Sequence, residues 1–199
     1  MAITEHLEWQ PHLGDIPHPD RNRAYEIARK SAEKKSVLVI AGAEITRELP
    51  VGHVNAIFVK DSNVLFNPNP KEARNVDFKK IIDQYVDSDL DLDSIEYYAR
   101  AGMYPVTKAI EEANSQGAFV FWNHPSWAPQ APDGIPHLSE THLQWLREGQ
   151  LHGIEVVNGD RYSEKAFELA LYHDLTLIGT SDVHELIHWD YNKILNEHR

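Results

Sequence analysis

Side chains able to bind a metal or carry a proton follow short apolar runs at four places in the chain. Residues 37–41 (VLVIA) lead into Gly42-Ala43-Glu44, and 118–122 (AFVFW) into Asn123-His124-Pro125. Residues 153–157 (GIEVV) lead into Asn158-Gly159-Asp160, and 175–179 (LTLIG) into Ser181-Asp182-Val183-His184. His is the commonest metal ligand, and carboxylates are its usual companions. On extended chain, positions i and i+2 point the same way, so Asp182 and His184 can face one ion together. His53 follows Pro50 and Gly52 and opens the next apolar run, 54–59 (VNAIFV), which makes it a plausible ligand beside Glu44. Near the N-terminus, Glu5 and His6 are adjacent, so only one of them can face such a site. Glu155 lies inside an apolar run, where an unpaired carboxylate is costly. It must meet either a cation or a hydrogen-bond donor from a neighbouring strand's loop.

Composition narrows the chemistry. Twelve His in 199 residues is the odd feature, in a chain with 31 Asp+Glu, 19 Lys+Arg and a net charge of −12. That charge argues against a protein that grips nucleic-acid phosphates. The absence of Cys excludes disulfides, thiolate metal sites and cysteine nucleophiles. No apolar run approaches the ~20 residues of a membrane span, so no membrane partner is expected. Residues 1–15 carry acids and His and do not read as a signal peptide. His12 and His18, in a Pro-rich loop, and Arg23 and Arg47 are either ordinary surface residues or contacts for a phosphate or carboxylate. Trp127, just after His124-Pro125, is a candidate wall of a substrate cleft. His137, His142, His152, His173, His188 and His198 fall on helices or polar loops and are read as non-ligands.

The elements that must position these groups alternate. Strands are expected at 37–41, 54–59, 118–122, 153–157 and 175–179. Helices are expected at 21–35 (N-capped by Asp20), 71–86, 93–116 (ended by Gly117), 138–149 (ended by Gly149) and 163–173. Such alternation predicts an α/β fold with a mainly parallel sheet and right-handed crossovers, in one domain over 1–199. Neither GxGxxG nor GxxxxGK[ST] is present, which favours a barrel over an open nucleotide-binding sheet. In α/β barrels the site lies at the C-terminal ends of the strands, where these polar groups fall.

Thr4-Glu5-His6, Gly42-Ala43-Glu44, His53, Asn123-His124-Pro125 and Ser181-Asp182-Val183-His184, in that order, resemble the motifs of the PHP (polymerase and histidinol phosphatase) family. The stretch from GAEITRELPVGHVNAIF through FWNHPSW and HGIEVVNGD to GTSDVH is similar to one subgroup of PHP-domain proteins, and the resemblance covers nearly the whole chain. It implies a distorted seven-stranded, TIM-like (β/α)7 barrel and a metal-dependent phosphoesterase. It implies His6, Glu44, His53, His124, Asp182 and His184 as ligands of two or three divalent ions (Zn²⁺, Mn²⁺ or Fe), with Glu44 as a bridging candidate. The ions would lower the pKa of a bound water from about 15.7 to about 7, giving an activated hydroxide. His124, Asp182 and His184 would be catalytic. His12, His18, Arg23, Arg47, Asn123, Glu155 and Asn158 would contact a small phosphorylated substrate.

The family also opens with an H-x-H pair on its first strand, which nothing before His6 supplies, and it continues where this chain stops at Arg199. The resemblance therefore implies a barrel incomplete at both ends. A metal hydrolase of another bond, such as an amide or lactone, or a catalytically incomplete fragment or binding module, stays open at this point. The sequence leaves localisation unspecified: the cytoplasm is the default for this chain, and a longer parent protein is compatible with export.

Overall fold

The structure, a computed structural model, describes residues 1–9, 18–82 and 92–184. Its elements run β1 (Ala2–Ile3), α1 (Arg23–Ala32), β2 (Ile40–Ile45), β3 (Val54–Ile57), α2 (Phe78–Ile82), α3 (Leu92–Ala101) and α4 (Val106–Ser115). They continue with β4 (Phe119–Trp122), α5 (Glu140–Glu148), β5 (Gly153–Asn158), β6 (Arg161–Tyr162), α6 (Glu164–His173) and β7 (Thr176–Thr180). The strands form one mixed sheet in the order β1-β2-β3-β4-β5-β6, with β7 also paired to β5, curled into half a barrel. No helix among the described residues is long and apolar enough to cross a membrane.

The sheet is less parallel than the alternation of elements predicts. β1–β2, β4–β5 and β5–β7 are parallel, but β2–β3 and β3–β4 are antiparallel. Residues 46–53 join β2 to β3 without a helix, and a parallel crossover needs a dozen or more residues. The strand expected at 37–41 begins at Ile40 instead. Val37 is 48% exposed and Leu38 75%, so that apolar run is not buried on both faces. β2 then runs on to Ile45, which places Glu44 within the strand rather than after it. Asp20 does not cap α1 itself: the cap position is Asn22, and the Asp20 carboxylate accepts the Asn22 N–H at 3.0 Å.

The helix expected over 93–116 is two helices. Gly102 breaks the pattern, and Pro105 is held extended at the start of α4. The helices expected at 138–149 and 163–173 are present. Ser139 caps α5 at one end, and Gly149, with φ 66°, closes it at the other. Of the helix expected at 71–86, Lys71–Ala73 forms a 3-10 turn and Phe78–Ile82 a short α-helix, and its end lies outside the described residues. The core lies between the sheet and the helices. Ile45, Val54, Val120 and Ile154 on the strands meet Ile110 on α4 and Trp145 on α5. Gly42 lets β2 sit against its neighbours, because a Cβ there would meet Ala56 O at 2.8 Å and Thr4 Cγ2 at 2.9 Å.

Candidate metal centre

Three segments of chain meet at Glu44. β2–β3 pairing sets Glu44 against Asn55, just after His53, while a parallel bridge sets His6 against Glu44. Glu44 is 4% exposed. Its Oε1 lies 3.0 Å from His6 Nδ1 and 2.8 Å from His53 Nδ1, and it accepts the Thr46 hydroxyl at 3.0 Å. Its Oε2 accepts from Asn123 Nδ2 at 3.1 Å. Burial alone would raise the Glu44 carboxyl, but the two close imidazoles outweigh it and hold it well below the usual carboxylate range. Burial pulls His6 down in turn, and the Glu44 hydrogen bond and charge outweigh that, so its pKa is raised.

His124 closes the group from the end of β4. Its ring centroid is 4.8 Å from that of His53, and ligand atoms of Glu44, His53 and His124 all lie within 4.8 Å of one another. Its backbone has φ 27°, a conformation that costs energy in a non-glycine residue and recurs at functional sites. Two contacts hold it there. Its N–H donates to Glu155, and Gln130 Nε2 lies 2.7 Å from its Nδ1. Trp122 Nε1 donates to Gln130 Oε1 at 3.1 Å and orients that amide. Burial keeps the His124 pKa low, the Glu44 charge only partly opposing it, so the ring is neutral as a ligand must be.

Asp182 and His184 approach from the segment after β7. Asp182 has φ 48° and accepts from Asn158 Nδ2 at 3.3 Å. His184 is exposed, with Nδ1 2.8 Å from the Asp182 carbonyl and its ring 6.0 Å from that of His6. These two flank the tight trio rather than join it. The Glu155 carboxylate is occupied by His124 N–H, the Thr180 hydroxyl and Asn158, and burial raises its pKa. Of the two readings of Glu155, the geometry takes the hydrogen-bonded one. Asn123 is likewise turned to Glu44, and Asn158 bridges Glu155 to Asp182.

The other expected substrate contacts are engaged with other partners or lie outside the described residues. Arg47 is buried against Glu8 and donates to the Thr46 and Tyr104 carbonyls, so its fork is already engaged. His18 and Arg23 contact each other, His18 Nε2 lying 2.7 Å from the Arg23 guanidinium in an exposed position. His12 lies outside the described residues. Thr46 and Gln130 were not expected. Thr46 lies two positions from Glu44, just past the end of β2, a spacing the sequence carries; Gln130 has none.

No protein-family model and no curated protein matches the chain. Solved structures do. The chain is similar to a two-domain protein of Bacteroides vulgatus, described as containing a predicted PHP-like metal-dependent phosphoesterase. Identity is 38% and the TM-score 0.72, over 100% of this chain and 47% of that one. The chain belongs to the PHP family. It spans about half the length of that relative. A Bifidobacterium adolescentis protein, provisionally named a metal-dependent phosphoesterase, shares the fold at 17% identity and a TM-score of 0.55, over 92% of this chain and 77% of its own.

The donor set of this PHP chain fits divalent cations, and one atom tests the fit. His53 Nδ1 is buried, 2.8 Å from Glu44 Oε1, yet lacks a hydrogen bond of acceptable angle to any partner. An imidazole nitrogen and a carboxylate oxygen held side by side without a hydrogen bond suit two ligands of one ion. The Trp122–Gln130–His124 chain fixes the orientation of the His124 ring beside them.

Proposed function

We propose that this chain carries the centre of a metal-dependent phosphoesterase acting on a small phosphorylated substrate, within a distorted (β/α)7 barrel. His6, Glu44, His53, His124, Asp182 and His184 hold two or three divalent ions, drawn from zinc, manganese and iron. The observation that carries this reading is the convergence of Glu44, His53 and His124, with His53 Nδ1 buried against Glu44 Oε1 without a hydrogen bond of acceptable angle. Bound ions would activate water and neutralise the phosphate oxygens. The protein's part is to fix their positions. Glu44 stays ionised because both its histidine neighbours favour its charged form. Glu155 and Gln130 hold His124 in place, while Asn158 holds Asp182. As the P–O bond to the leaving group breaks, its oxygen needs a proton. His184 is exposed and donates Nδ1–H to the Asp182 carbonyl, so its Nε2 is the atom that would meet an ion, and solvent water supplies the leaving-group proton.

The test is Asp182→Ala in the chain loaded with Mn²⁺ or Zn²⁺, with p-nitrophenyl phosphate as a generic phosphomonoester. Hydrolysis is expected to fall at least a hundredfold. Turnover at the wild-type rate would refute the assignment.

A further inference from the structure

An apolar cleft of about 860 Å³ opens beside the candidate metal centre, lined by His53 and Gln130 at its inner end. Its walls include Trp9, Leu49, Val51, Met103, Tyr104 and Trp127. Trp127 joins the cleft to the centre, its ring centroid lying 5.3 Å from that of His53 and 5.2 Å from that of His124. On the other side of Trp127 is a compartment of only about 80 Å³, which His124, Asn158 and Asp182 help to line. The charges in the large cleft do not invite a phosphate. Glu8 and Arg47 are paired with each other, and Glu48 adds a further carboxylate. The volume falls in the range of small-molecule sites, which are mostly apolar and take most of a ligand's surface out of water. Aromatic walls suit a planar apolar occupant.

We infer that this cleft receives the leaving group, and that the substrate class is phosphomonoesters of large, aromatic or otherwise planar apolar alcohols. The inference rests on the phosphoesterase reading above and names its substrate. The reacting phosphorus sits at the histidine–carboxylate centre, and the alcohol lies along Trp127 into the cleft. Water contributes the new P–O bond, the alcohol–phosphorus bond breaks, and the alcohol leaves protonated. A short polar alcohol would leave the cleft full of water and gain nothing from its walls.

The experiment compares 2-naphthylmethyl phosphate with methyl phosphate on the 199-residue chain loaded with Mn²⁺ or Zn²⁺. Both esters derive from primary alcohols of similar acidity, so intrinsic reactivity is matched and the ratio of kcat/KM reads the cleft. The expected ratio is at least ten in favour of the naphthyl ester. Leu49→Asp and Ala99→Glu place a carboxylate into the cleft from exposed positions, where neither threatens folding. Each is expected to bring the ratio down at least fivefold. Turnover of both esters at a ratio near one, or a ratio that both variants leave unchanged, would overturn the cleft assignment and leave the phosphoesterase reading standing. Turnover of neither ester would instead remove that reading for this chain. Calorimetry with the two corresponding phosphonates then decides: at least tenfold tighter binding of the naphthylmethyl compound, lost in both variants, supports the cleft, and equal binding overturns it.

Discussion

His142 ties the stability of the scaffold under His124 to pH. It occupies the first turn of α5, where Ser139 N–H donates to its Nδ1 at 3.1 Å. It has no exposed surface, and its ring lies 4.3 Å from Trp122, the residue that orients Gln130 against His124. Burial pushes its pKa down to about 4, a contact with the Val51 backbone opposing only weakly. The unfolded imidazole takes its proton near 6.5, the folded one near 4. The stability is therefore complete above about pH 6.5 and is lost as pH falls towards 4, because only the unfolded state gains a proton in that window. At ~1.36 kcal/mol per unit, a 2.5-unit gap costs about 2 kcal/mol by pH 5 and about 3 kcal/mol by pH 4. For a chain of this size that is a fall in Tm of roughly 6–12 °C. Other groups titrate there too, Glu8 and Glu155 among them, so the measurement is a difference. His142→Gln keeps a capping acceptor at this position but cannot take the proton. Denaturant unfolding of both chains at pH 7.5, 5 and 4 should show wild type losing about 3 kcal/mol more than the variant by pH 4. Parallel losses, within about 1 kcal/mol, would refute the assignment of a buried neutral imidazole.

Two further outcomes follow from the centre itself. An ion present at a hundred times its Kd adds ~2.7 kcal/mol of stability, so Zn²⁺ or Mn²⁺ should raise Tm by roughly 5–11 °C. Glu44→Gln should cut that rise to under about 2 °C, and in the metal-free chain the NMR titration of His6 should move to lower pH; an undiminished rise sinks Glu44 as a ligand. Gly52 has φ +72°, and a Cβ there would lie 1.9 Å from Gln130 Oε1. Gly52→Ala should therefore displace Gln130, cost about 1–2 kcal/mol in unfolding measurements, and weaken metal binding 10–100-fold. Gln130→Ala should reproduce the loss of affinity without the backbone penalty, and wild-type affinity in both variants would remove Gln130 as a support for His124.

Most residues of the candidate centre were legible in the sequence because they sit where strands end or begin. His53, His124, Asp182 and His184 each follow or precede an apolar run, and the pairing of β3 with both β2 and β4 brings the first two to Glu44. The supports were harder to read. Gln130 reaches His124 from an irregular segment with no periodicity. Arg47 reads as a free fork until the fold brings Glu8 against it, and a long-range pair of that kind leaves no local trace. The parallel sheet expected from alternation fails where β2 turns back after a helix-free connection, a matter of length rather than of composition.

The cleft and the error over 93–116 have one cause. The apolar spacing there is helical on both sides of residues 102–105, and periodicity alone carries a single helix through them. Gly102 and Pro105 are the local signals against it, because glycine weakens a helix and proline clashes with the preceding turn. Where α3 stops and α4 begins, Met103, Tyr104 and Pro105 turn into the wall of the cleft beside His53. An unbroken helix would carry these residues around its barrel, pointing in different directions, and could not gather them on one side. The break that defeats the pattern is thus what gives the centre an apolar neighbour.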